Sequence, residues 1–152
     1  MDNKELKLVI ALTKSYNLFL SKITSQLASY DLSVSEFGVL ELLFHKGKQP
    51  IQKIAEKILV TSGTMTYVIN QLIKKGYVKR RQCENDLRIT YVELTQEGLS
   101  KMQMVFPIHQ IYLSTLFQHI SDTDQDQLVS LLKSLQSSIL YQEGAELSDS
   151  KN

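Results

Sequence analysis

The sequence predicts a mainly α fold with a small β-hairpin wing, in which a winged helix-turn-helix is flanked by N- and C-terminal helices. Three observations carry that expectation. Apolar residues recur at three- and four-residue spacing over most of the 152 residues. Residues 50–98 break the monotony: a short apolar helix, a small-polar turn, a second helix that stops at Gly76, then strand, charged loop and strand. The apolar faces at the two ends of the chain exceed what one small core can absorb, so they are expected to pack against a second copy.

Residues 6–27 read as a helix with Leu6, Val9, Ile10, Tyr16, Leu20, Ile23 and Leu27 on one face. Asp31-Leu32-Ser33 breaks it. Ser33 and Glu36 have capping-box spacing, in which the hydroxyl accepts from a free backbone N–H and the carboxylate accepts from the cap. The next helix points Phe37, Leu40, Leu43 and Phe44 inward and ends at Gly47. Pro50 suits the start of a third helix over 51–58, where Ile54, Ala55 and Ile58 are apolar. A fourth helix over 62–75 buries Met65, Val68, Ile69, Leu72 and Ile73 and turns its polar side outward. Gly76 is its C-cap. Residues 77–83 read as a strand, 84–87 as a tip and 88–94 as the return strand. Thr95, with Gly98 close by, opens a fifth helix that Pro107 is expected to kink or split. A sixth helix starts within 121–124, with Leu128, Leu131, Leu132, Leu135, Ile139 and Leu140 inward. The polar residues 143–152 are expected to be disordered. The domain organisation that follows is 1–31 and 99–142 for dimerisation and 32–98 for DNA binding.

Composition excludes several classes. No apolar run reaches 18 residues, so no membrane span is expected. The N-terminus lacks the basic start and clean apolar core of a secretion signal. A single cysteine rules out an intrachain disulfide framework and fits a reducing, cytoplasmic setting. The three histidines have no metal-ligand spacing, and there is no cysteine cluster, Gly-rich phosphate loop or serine–histidine–acid set. No metal, cofactor or enzymatic activity is therefore expected. Net charge is only +1, but its distribution is uneven. Residues 74–88 hold Lys74, Lys75, Lys79, Arg80, Arg81 and Arg88 against Glu84 and Asp86, a footprint suited to phosphate contact.

With the motifs in order, the chain resembles the MarR family of bacterial winged-helix regulators. The resemblance rests on Ser35-Glu36-Phe37 with Val39-Leu40, Ile54-Ala55, Thr64-Met65-Thr66, Leu72 with Lys75-Gly76-Tyr77-Val78, Asp86-Leu87-Arg88, and Leu94-Thr95 with Gly98. The wider stretch, including Pro50-Ile51-Gln52, Ser62-Gly63 and Phe106-Pro107-Ile108-His109, is similar to the branch that senses quinones and related electrophiles. The resemblance implies a homodimeric repressor on a pseudo-palindromic operator in double-stranded DNA, released by a small aromatic, phenolic or quinone-like effector. The alternative is a winged-helix protein–protein module that has lost DNA binding. This chain departs from the family pattern at Tyr67 and Gln71, where arginine is frequent, at Asn70, where aspartate is, and at Leu87, the usual middle arginine of the wing.

The candidate DNA-binding residues are Ser62, Thr64, Thr66, Tyr67, Asn70, Gln71 and Lys74 on the fourth helix, and Arg80, Arg81, Asp86 and Arg88 on the wing. Hydroxyls and free N–H groups at a helix start suit phosphate oxygens, although Thr61 or Ser62 is also expected to cap the helix. Gln71 can pair with adenine and Tyr67 can touch a thymine methyl or a phosphate. The resemblance implies that Asp86 braces the wing and Arg88 enters the minor groove; a plain surface ion pair is the alternative. It also implies an effector cleft, for which Tyr16, Phe19, Phe37, Phe44, Phe106, His109 and Tyr112 are candidates, with simple core filling as the alternative. Cys83, beside Lys79, Arg80 and Arg81, is a candidate thiol sensor because cations favour thiolate. The reactive cysteine of redox-sensing relatives lies near the N-terminus, where this chain has none.

Overall fold

The computed structural model describes residues 3–58 and 62–149. Its elements are α1 (Lys4–Ala28), α2 (Val34–Lys46), β1 (Gln49–Pro50), α3 (Ile51–Ile58), α4 (Ser62–Lys74), β2 (Val78–Gln82), β3 (Thr90–Leu94), α5 (Gln96–Phe117) and α6 (Asp122–Asp149). The chain divides into two compact units, Met1–His109 and Gln110–Asn152, so the division falls inside α5.

In the first unit, local chemistry sets the boundaries. Asn3 caps α1 by accepting the Leu6 N–H at 2.9 Å. The chain turns at Asp31 with φ 57, and the Ser33–Glu36 capping box opens α2 with both bonds made, 3.1 Å and 2.8 Å. Gly47 and Gly76, both at positive φ, close α2 and α4. At Gly76 the chain reverses with Gly76 N–H on the Ile73 carbonyl and Tyr77 N–H on the Leu72 carbonyl, a geometry that a side chain would strain. The core is where α2, α3 and α4 meet: Phe37, Val39, Leu40, Leu43, Ile54, Met65, Val68, Ile69 and Leu72 are buried, sealed by Val78 and Val92 from the sheet. The antiparallel sheet has the order β1-β3-β2. The β2–β3 hairpin pairs Val78 with Leu94 and Gln82 with Thr90, and β1 pairs Gln49 with Val92. Thr95 then joins wing to helix: its hydroxyl donates to the Gly76 carbonyl at 2.5 Å and accepts from the Gly98 N–H at 3.0 Å.

In the second unit, Ser121 starts α6 by accepting the Asp124 N–H at 3.2 Å. Gln125 Nε2 donates to the Ile120 carbonyl at 2.9 Å and so closes the α5–α6 turn.

Two expectations need correction, one on the C-terminal tail and one on α6. Of the two outcomes expected at Pro107, a kink or a split, the split does not occur, since α5 runs unbroken through it; Pro107 and Gln103, whose carbonyl loses its partner, are both exposed, so water can take the freed bond. The segment from Glu143, expected to be disordered, carries α6 on to Asp149, because Glu143, Ala145, Glu146 and Leu147 are good helix formers; residues 150–152 lie outside the described residues. The apolar face of α1, expected to exceed what one small core can absorb, is mostly outward. Leu6, Val9, Ile10 and Tyr16 are exposed, and only Ile23 and Leu27 are buried. A 25-residue helix spans about 37 Å, and only its last turns reach the core. On α6, Leu128, Leu131, Ile139 and Leu140 are likewise exposed, while Leu132 and Leu135 are half-buried.

Candidate nucleic-acid interface

The candidate reading helix is α4. Its buried stripe fixes which side faces out, and that side carries Thr64, Thr66, Tyr67, Asn70 and Lys74, all exposed, with Gln71 half-buried beside them. Tyr67 is 64% exposed, so its ring and hydroxyl are open to an outside partner. Ser62 is the first residue of α4. The expected cap Thr61 lies outside the described residues.

The wing is a braced hairpin tip. Asp86 Oδ1 accepts the Arg88 backbone N–H at 3.0 Å and Arg88 Nε at 3.1 Å, and Oδ2 accepts Arg88 Nη2 at 3.3 Å. The guanidinium beside Asp86, together with the Arg88 backbone N–H, holds the carboxyl below the usual carboxylate range. The Arg88 side chain is nevertheless 91% exposed: its direction is set while its outer face stays open. Gln82, which sequence reasoning passed over, donates Nε2 to the Leu87 carbonyl at 2.7 Å and ties the tip to β2. Leu87 itself projects, exposed, from the tip.

The basic block is less uniform than its sequence implied. Lys75 turns inward, with Nζ 2.9 Å from Glu36 Oε2. Lys79 pairs with Glu93 at 3.3 Å, and Arg81 approaches the same carboxylate at 4.0 Å. Lys79 and Glu93 are direct cross-strand partners, a pairing legible only once the hairpin register is known. Among the described residues, Lys74 and Arg80 form no ion pair, and both are exposed.

The effector candidates fall into separate groups. Phe37 and His109 are buried and in ring contact at 4.5 Å. His109 Nδ1 donates to Gln26 Oε1 at 2.8 Å, which makes Gln26 a partner that spacing did not suggest. Burial pushes the His109 imidazole below its ordinary value, with Glu41 opposing. Phe44 and Phe106 meet at 5.8 Å, and His45 packs on Phe106 at 4.8 Å. Tyr16 and Phe19 are exposed along α1. Tyr112 is half-buried and belongs to the second unit. Cys83 is a free, half-buried thiol in an open cavity of about 330 Å³ with Lys48, Arg81, Glu84, Asn85 and Tyr91.

An exposed reading helix beside a hairpin that presents a braced arginine defines a DNA-binding winged helix-turn-helix, the class of a transcription regulator. Comparison with known proteins narrows this. The MarR family profile matches residues 32–90. The HTH-type transcriptional regulator MhqR of Bacillus subtilis is 34% identical over 133 residues, covering 88% of this chain and 92% of MhqR. The chain belongs to the MarR family. Two solved structures share its fold: the Staphylococcus aureus MepR–DNA complex, with TM-score 0.78 and 19% identity over 86% of this chain and 96% of that one, and Bordetella bronchiseptica BpsR, whose DNA binding is regulated by 6-hydroxynicotinic acid, with TM-score 0.77 and 18% identity over 86% and 98%.

Proposed function

We propose that this chain is a cytoplasmic, homodimeric repressor that binds a pseudo-palindromic operator and is released by a small aromatic or quinone-like effector. The observation that carries operator binding is the joint exposure of the α4 reading face and of Arg88, held by Asp86. Together they offer hydrogen-bond readout in a major groove and a cation for the adjacent minor groove. The exposed apolar faces of α1 and α6 support the dimer, since contiguous apolar surface of this kind marks an interface. MepR was solved on DNA and BpsR responds to a hydroxylated aromatic acid; both support the reading.

Effector release has two routes. In one, a flat aromatic ligand binds near Phe37, Phe44, Phe106 and His109 and favours a separation of reading helices that does not fit successive grooves. In the other, the Cys83 thiolate adds to an electrophilic carbon of a quinone, whose ring takes up the electron pair and a proton, and the adduct disturbs the wing.

Fluorescence anisotropy with the chain's own upstream DNA tests the reading. Wild type should bind with steep salt dependence, and Arg88→Ala should weaken specific binding by about 1–3 kcal/mol. No binding to upstream or random DNA would leave the protein–protein module instead. Adding a quinone or a phenolic acid then separates the routes: Cys83→Ser abolishes the response only in the covalent one, and Phe106→Ala blunts it only in the reversible one.

A further inference from the structure

A lysine at the end of a reading helix, inside a basic block, would ordinarily be assigned to phosphate. Lys75 is not placed for that. Its side chain is 24% exposed, and Nζ donates to the Asp31 backbone carbonyl at 2.6 Å and to Glu36 Oε2 at 2.9 Å, with Asp31 Oδ2 at 3.7 Å. An ammonium has three donors; two are taken by protein oxygens, and the Asp31 carboxylate lies at ion-pair distance from the nitrogen. Glu36 is 5% exposed, so its charge needs this partner. The same Oε2 also accepts the Ser33 N–H of the capping box at 2.8 Å.

Three segments meet at this nitrogen. Asp31 lies in the turn that ends α1, at positive φ. Glu36 sits in the first turn of α2. Lys75 precedes Gly76, where α4 is handed over to β2. The pair therefore fixes the C-terminal end of the reading helix, and the root of the wing, to the α1–α2 corner.

We infer that Lys75 is a positioning residue for operator recognition: paired with Glu36, it sets the pose of α4 and of the wing without touching DNA. The inference rests on the DNA-binding reading above. Exposed Lys74, its neighbour, is the contrasting phosphate contact. A contact that positions both reading elements affects the operator complex, where base edges must be met in register, more than it affects loose non-specific binding.

The test measures Kd for operator and for random DNA across a salt series, for wild type, Lys75→Met, Lys74→Met and the double variant Glu36→Gln/Lys75→Met. Circular dichroism confirms that each is folded at the assay temperature. Lys75→Met should lose tenfold or more in operator affinity while the slope of log K against log salt stays at the wild-type value. Lys74→Met should lower that slope by about 0.9 per subunit contact. The double variant removes the unpaired buried charge, so it covers the case in which Lys75→Met alone fails to fold. It should fold stably and still discriminate poorly between operator and random DNA. Recovery of operator affinity in the double variant would overturn the inference and leave Lys75 a merely structural partner. A shallower slope for Lys75→Met would make it a phosphate contact, and operator affinity within twofold of wild type in folded Lys75→Met would also refute positioning. Failure of wild type to bind any DNA would instead refute the DNA-binding reading on which this rests.

Discussion

Gly98→Ala probes the joint between wing and α5. A Cβ at this position would collide with the Tyr77 carbonyl oxygen and lie 2.9 Å from its carbon and 3.2 Å from its Cα. These are backbone atoms, so no side chain can swing aside. Ordinary contact starts at 3.4 Å and the oxygen is the nearest atom, so the strand or the helix must retreat by about an ångström or more. Tyr77 is not free to do so, because its carbonyl accepts the Thr95 N–H at 3.0 Å and Thr95 also holds Gly76. Overpacking of this kind costs about 1–3 kcal/mol and a strained or broken hydrogen bond about 1 more. A total of about 2–4 kcal/mol corresponds to a fall of about 5–15 °C in Tm for a chain this size. Thermal unfolding by circular dichroism reads the shift directly. Because the displaced part is the wing root, operator affinity should also fall, and adding Arg88→Ala should cause little further loss, since the arginine would already be misplaced. A Tm within 1 °C of wild type would show that the joint yields freely and would refute the reasoning.

Three further outcomes are expected. Gln71→Ala and Tyr67→Ala should change which operator bases matter, by about 1–3 kcal/mol at one or two positions; equal loss on operator and random DNA would remove them from base readout. Leu135→Glu should reduce folding and dimerisation together, so a wild-type chain that sedimented as a stable monomer at low micromolar concentration would contradict the interface. The third outcome concerns pH. His109 is depressed by burial, so the unfolded chain binds more protons than the folded one as pH falls. Its contribution is complete above its unfolded value of about 6.5 and is lost as pH drops from there towards the lower folded value. Urea midpoints at pH 7.5 and 5.5 should therefore separate more for wild type than for His109→Gln.

What the sequence showed well was local chemistry. The Ser33–Glu36 box, the stop at Gly76 and the start of α3 after Pro50 are set by residues within four positions of one another, and all are found as expected. What it hid was long-range. Nothing near Gln49 announces a two-residue strand, because its partner Val92 lies more than forty residues on. Lys75 read as one more cation until the fold brought Glu36 to it. Apolar faces on α1 and α6 were legible as apolar, but periodicity cannot say whether a face meets its own chain or another. The reading face of α4 was recoverable because a buried stripe dictates its opposite. The effector candidates were not, since core and cleft aromatics share one pattern and Phe37 lies buried among the former.

The short β1 strand has a consequence for regulation. Gln49 and Pro50 are ladder partners of Val92 and Tyr91 and are directly followed by α3. The hairpin is thus stitched to the start of the helix-turn-helix at one end, and at the other end Thr95 ties it to the turn that closes α4. The two stitches oppose a swing of the wing away from the helix-turn-helix. The spacing between α4 and the hairpin is therefore set within the subunit by these two ties. A reversible effector of the kind proposed would have to move α4 and the hairpin as one piece, whereas an adduct at Cys83 would act on the hairpin itself.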